Sequence, residues 1–69
     1  MMTFGERLRE LRKSRGLSMD DFAKEIGTSK TVLSNIESDD SYPSFVRFAK
    51  MLKVLNVTAE MFFRGVDLY

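Results

Sequence analysis

The chain has no cysteine and no histidine. Without cysteine no disulfide can supplement the core, and without both residues the usual zinc-ligand sets are missing. The apolar residues must therefore stabilise the fold alone or with a partner subunit. The same absences remove the cysteine nucleophile and histidine, the commonest general base, and no glycine-rich phosphate loop follows a strand pattern. Asp20, Asp21, Asp39 and Asp40 stand where helix caps and turns want acids. An enzyme is not expected, and neither is a cofactor or a bound metal, since the five methionines read as core filler and termini. No run approaches the roughly 18 to 20 apolar residues of a membrane helix, and no apolar signal-peptide core follows Met1 to Thr3. These absences predict a soluble, cytoplasmic protein with no membrane partner. A formal net charge of +1 says little about partners until it is resolved along the chain. At 69 residues without repeat, low-complexity tract or linker, residues 1–69 are expected to form one small domain.

Helical periodicity dominates what is present. Thr3 and Glu6 have capping-box spacing, and Phe4, Leu8 and Leu11 repeat at helical intervals until Gly16, which predicts helix 1 over about Phe4 to Arg15. Ser18 and Asp21 open a helix of two turns whose Phe22, Ala23 and Ile26 share one face, ended by Gly27. Helix 3 is expected from about Lys30 to Ser38, followed by a turn-rich loop from Asp39 to Pro43. Ser44 caps helix 4, with Phe45, Phe48, Ala49 and Leu52 on one face. Asn56 to Thr58 then separates a last helix of about Ala59 to Arg64. The expectation is an all-α, five-helix bundle with no strand.

At about 100° per residue, Leu33 and Ile36 fall on one side of helix 3, while Thr31, Ser34 and Asn35 point the other way between Lys30 and Val32. That outer face is small, polar and uncharged except for Lys30. It can lie against another surface without burying a long acidic group. Two helices joined by a tight glycine-containing turn, the second with such a face, match the helix-turn-helix unit whose second helix enters the DNA major groove.

With these residues in view the chain resembles the phage repressor and Cro-like, or XRE, family of helix-turn-helix domains over about Phe4 to Phe63. The motifs that carry the resemblance are the basic first helix GERLRELRKSRGLS, Ala23 and Gly27 four apart, and Leu33 and Ile36 behind the outer face of helix 3. Glu37, the Pro43–Ser44 start of helix 4 and the closing LNVTAEMF complete the set. The resemblance implies a compact lambda-repressor-like bundle whose helix-turn-helix unit spans about residues 19–38. It implies a regulator of transcription that binds double-stranded DNA at a specific sequence, acting as a repressor that blocks polymerase.

Carried over by position, the base-reading residues are Ser29, Lys30, Thr31, Val32 and Asn35. Their chemistry suits the role: Lys30 can donate to guanine, Asn35 can pair bidentately with adenine, and Thr31 and Val32 can touch thymine methyls. Arg9, Lys13, Arg15, Ser18 and Ser44 are the candidates for the DNA backbone, because five basic residues and one acidic residue stand between Arg7 and Arg15. Ala23, Gly27, Leu33 and Ile36 are expected to be structural. By resemblance Arg12 should pair internally with Glu37, tying helix 1 to the end of helix 3.

The chain departs from the family at Met19, where a glutamine commonly hydrogen-bonds a phosphate, and at Ser38, Asp39 and Asp40, where a glycine and a basic residue are common. Methionine cannot donate that bond. Two carboxylates beside phosphate would lower nonspecific affinity and raise reliance on base contacts. The other reading is a protein-interaction module that keeps the fold but meets a partner through the acidic helix 3 end or an apolar C-terminal patch. That patch, residues 62–69, holds Phe62, Phe63, Val66, Leu68 and Tyr69, more than a short last helix usually buries. It is expected to form a two-fold homodimer contact, placing two recognition helices on a palindromic operator. Helices this short leave little room for a small-molecule ligand.

Overall fold

A computed structural model describes residues 2–66, and within them five helices follow one another: α1 (Phe4–Ser14), α2 (Met19–Glu25), α3 (Lys30–Glu37), α4 (Phe45–Leu55) and α5 (Ala59–Phe63). The only extended pairing among the described residues is one parallel bridge between Met2 and Val66. None of the helices described is long and apolar enough to cross a membrane.

Each helix begins at a hydroxyl residue. The side-chain oxygens of Thr3, Ser18, Ser29, Ser44 and Thr58 accept the backbone N–H of Glu6, Asp21, Val32, Arg47 and Met61, at 3.0 to 3.2 Å. Thr3 and Glu6 complete a reciprocal capping box, the Thr3 N–H donating to Glu6 Oε1 at 2.9 Å. Such a cap contributes about 1 kcal/mol, so the five starts are set locally. Helices α1, α3 and α5 each stop one residue before the periodicity suggested, with Arg15, Ser38 and Arg64 as C-caps.

The core joins all five helices through Leu8, Leu11, Phe22, Ala23, Ile26, Leu33, Ile36, Met51, Leu55 and Phe62. On α4 the buried face differs from the expected one. Met51 and Leu55 are buried, Phe48 and Leu52 pack against them, whereas Ala49 is exposed and Phe45 is 85% exposed. Apolar residues occupy most positions of this helix, a stripe wider than the core it meets, so periodicity alone leaves its orientation open.

The terminal apolar set also needs correction. Phe62 and Val66, expected at a dimer contact, are buried, and Phe63 is half-buried. Phe62 lies 4.9 Å from Phe4, 5.1 Å from Phe48 and 5.2 Å from Phe63 between ring centroids. These rings form an aromatic layer between α1, α4 and α5, which is where the area of the last helix goes. Arg7 holds α5 in place, its Nε donating to the Phe62 carbonyl at 2.8 Å and its Nη2 to the Met61 carbonyl at 2.6 Å. Leu68 and Tyr69 lie outside the described residues.

Gly5 is where α1 crosses the end of α3. A Cβ there would stand 2.4 Å from the Glu37 carbonyl oxygen and 2.6 Å from that of Ile36, both backbone atoms that cannot swing aside. Gly5→Ala should therefore destabilise the fold by about 1 to 3 kcal/mol through overpacking, although alanine favours an isolated helix by about 1 kcal/mol. Urea unfolding measures the net effect. A midpoint equal to or above that of the parent protein would show that the two backbones do not approach this closely.

Candidate nucleic-acid interface

The turn between α2 and α3 is built from backbone hydrogen bonds and one left-handed glycine. Gly27 adopts φ +76°, its N–H donates to the Lys24 carbonyl at 3.2 Å, and the Thr28 N–H reaches the Ala23 carbonyl at 2.9 Å. The left-handed conformation is open to glycine at little cost. Ala23 is buried at the crossing, and Leu33 and Ile36 bury the inner side of α3.

Beneath α3 lies a buried ion pair. Arg12 Nε donates to Glu37 Oε2 at 2.7 Å and Arg12 Nη2 to Glu37 Oε1 at 3.1 Å, with side-chain exposures of 7% and 3%. Arg12 Nη1 also donates to the Leu17 carbonyl at 2.8 Å, so one guanidinium joins α1, the loop before α2 and the end of α3. No buried side-chain nitrogen or oxygen among the described residues lacks a partner. This bracing holds α3 at a defined angle to α1 and orients its outer face.

That outer face carries Lys30, Thr31 and Asn35, all exposed, with Ser34 half-buried beside them and Val32 37% exposed at one edge. Ser29 uses a lone pair as the helix cap and keeps its O–H free to donate, as do Ser18 and Ser44 at the starts of α2 and α4. The five residues assigned to base reading thus share the start and solvent side of one short, rigid helix.

The charges around this face are arranged differently from the sequence reading. Asp39 sits in the left-handed region at φ +64° and turns its carboxylate inward, accepting Thr3 Oγ1–H at 2.6 Å and the Gly5 N–H at 2.9 Å. It stabilises the positive end of α1, leaving Asp40 as the exposed acid after α3. Arg15 Nε is engaged by the Leu55 carbonyl at 2.8 Å, where it caps the C-terminal end of α4. Arg9 and Lys13 are exposed and line one groove with Met2, Glu6 and Glu10, but the Glu10 carboxylate is paired with Arg7 at 2.6 Å and Glu6 Oε1 accepts the Thr3 N–H. Met19 packs against the core.

Sequence reasoning assigned nothing to Arg47. It stands in the first turn of α4, half-buried, with Nη2 3.5 Å from the Gly27 carbonyl oxygen. The two residues are 20 positions apart, so no local pattern could have joined them.

A family model described as a helix-turn-helix domain matches residues 5–68. The chain is 35% identical over 57 residues to YazB, an uncharacterised HTH-type transcriptional regulator of Bacillus subtilis, covering 83% of either protein. In structure it is similar to the restriction-modification controller protein C.AhdI from Aeromonas hydrophila, with a TM-score of 0.81 and 32% identity over 87% of this chain and 91% of that one. It is also similar to SinR of Bacillus subtilis, a master regulator for biofilm formation solved in complex with DNA. There the TM-score is 0.80 and the identity 31%, over 88% of this chain and 98% of that one. Together with the braced turn and the outward polar face of α3, these matches lead to one conclusion: the chain belongs to the helix-turn-helix domain family.

Proposed function

We propose that the protein is a sequence-specific DNA-binding regulator of transcription that inserts α3 into the major groove and acts as a dimeric repressor on a palindromic operator. The observation that carries this reading is the exposed row of Lys30, Thr31 and Asn35 on a helix whose opposite side is clamped by Leu33, Ile36 and the Arg12–Glu37 pair. A rigid helix presenting short polar side chains suits base-edge recognition, because little side-chain freedom is lost when the groove closes around it. The regulators named among its relatives support the same reading. Ser29, Ser18 and Ser44 would add contacts through their free O–H groups, and Arg9, Lys13 and the unengaged nitrogens of Arg15 would add attraction to the DNA backbone. Such work belongs to the cytoplasm and needs no catalytic step.

A protein-interaction module is supported less well. One carboxylate of the acidic α3 end is committed to the start of α1, and two members of the apolar C-terminal set are buried. The apolar surface left on α5 is Met61, 44% exposed, beside the half-buried Phe63, and this rim is the proposed two-fold contact.

Selection of bound duplexes from a randomised DNA pool at about 100 mM salt, where nonspecific affinity is weak, tests the proposal. Enrichment of a two-fold symmetric site with half-sites about 34 Å apart is the expected result. A folded sample that enriches no sequence would end the DNA reading, and an asymmetric site would end the palindromic one. On the enriched site, Asn35→Ala should relax preference at one base pair by about 1 to 3 kcal/mol. Unchanged preference would remove Asn35 from the reading set.

A further inference from the structure

We propose that Arg47 is a phosphate-binding residue of the interface, holding the DNA backbone against the turn between α2 and α3. The inference rests on the DNA reading above and adds to it a residue outside the helix-turn-helix unit.

The first argument is position. Gly27 lies two residues before Ser29, the cap of α3, so a guanidinium beside the Gly27 carbonyl stands at the entry to the recognition helix. When α3 occupies the major groove, the backbone that borders the groove passes its N-terminal end. Arg47 is on α4, yet its side chain reaches this border.

The second argument is availability. Arg12 has three nitrogens engaged within the fold, Arg7 likewise, and Arg64 pairs with Glu60. Arg47 has no ion-pair partner among the described residues, and its one contact, 3.5 Å to a neutral carbonyl, is at the outer limit of a hydrogen bond. That contact orients the guanidinium without neutralising it. Because the side chain is half-buried, fewer rotamers remain to be lost on binding.

The third argument is need. Met19 offers no donor at the start of α2, and Arg9 and Lys13 lie on α1 in a groove they share with Glu6 and Glu10. Lys30 stands alone as the cation of the α3 face. A planar guanidinium presents paired donors that match two phosphate oxygens. It does so here beside the first turn of the 11-residue α4, whose dipole favours an anion, and near the free O–H of Ser44. The contact is to the backbone and carries no base preference of its own, so its effect should be equal on every sequence.

The test compares the parent protein with Arg47→Gln, Arg47→Lys and, as a control, Lys53→Gln, whose lysine lines a groove with Val57 and Met61 on the α5 side of α4. Each is titrated with the enriched duplex and with a scrambled duplex of equal length across a salt series. Arg47→Gln should weaken binding to both duplexes by a similar factor and make the log–log salt slope shallower by about 0.9. Between about 50 and 200 mM salt, that slope change means the variant loses about 3.5-fold less affinity than the parent. Arg47→Lys should keep the parent slope, as should Lys53→Gln. An unchanged slope in Arg47→Gln would overturn the proposal, and if its melting temperature fell at the same time, Arg47 would be a brace for the turn. A parent protein that binds neither duplex would instead refute the DNA reading itself.

Discussion

Glu37→Ala should leave the protein largely unfolded at 25 °C. The substitution strands the Arg12 guanidinium, 7% exposed, without its counter-charge. Breaking a buried pair in this way costs about 3 to 5 kcal/mol, while a core of this size rarely supplies more than about 3 to 5 kcal/mol in all. The helical signal in circular dichroism should fall to a fraction of its parental value, and DNA binding with it, because α3 is no longer held against α1. The pair need not be a net source of stability. Replacing both partners, as Arg12→Met with Glu37→Leu, should restore most of the fold, since apolar pairs of similar volume often match a buried ion pair. Recovery would be incomplete by about 1 kcal/mol, because Arg12 also satisfies the Leu17 carbonyl. A single variant that melts with the parent protein would show that the pair is hydrated rather than buried.

Phe62→Ala should cost about 3 to 5 kcal/mol, the range for emptying a buried aromatic site. That takes most of the roughly 3 to 5 kcal/mol such a core supplies, so at 25 °C this variant too should be largely unfolded, its melting temperature lowered by at least about 12 °C. The ring is fully buried in an aromatic layer that ties α1 and α4 to α5, so its loss opens a cavity between three helices. Phe45→Ala removes the same group from a position 85% exposed and should change stability by no more than about 0.5 kcal/mol. Protein concentration separates core from interface. A dimer contact at Phe62 would make the loss depend on concentration, whereas a core residue gives the same loss at every dilution. Equal effects of the two substitutions would contradict the burial described.

The two phenylalanines also show where sequence and structure part. Both lie on helices whose existence and starting points were legible, because an N-cap hydroxyl, a capping box and helical periodicity act within about four residues. Which side of each helix turns inward was not. On α4 apolar residues surround most of the helix, so the burial of Met51 and Leu55 in preference to Phe45 and Ala49 depends on how α4 meets the other helices. At the C-terminal end the apolar excess was legible, but its destination in a layer with Phe4 and Phe48 required three helices to converge.

By itself the sequence determined the five capped helices, the glycine turn at Gly27 and the small polar row on α3, because each depends on a few adjacent residues and their dihedral preferences. The tertiary structure alone decided that Asp39 caps α1 instead of facing outward, that Gly5 is the crossing point with α3, and that Arg47 stands beside Gly27. Each of these joins atoms 20 to 34 residues apart, or backbones that meet only once the helices have packed. Such contacts form only when the core chooses one packing, and no local preference encodes that choice.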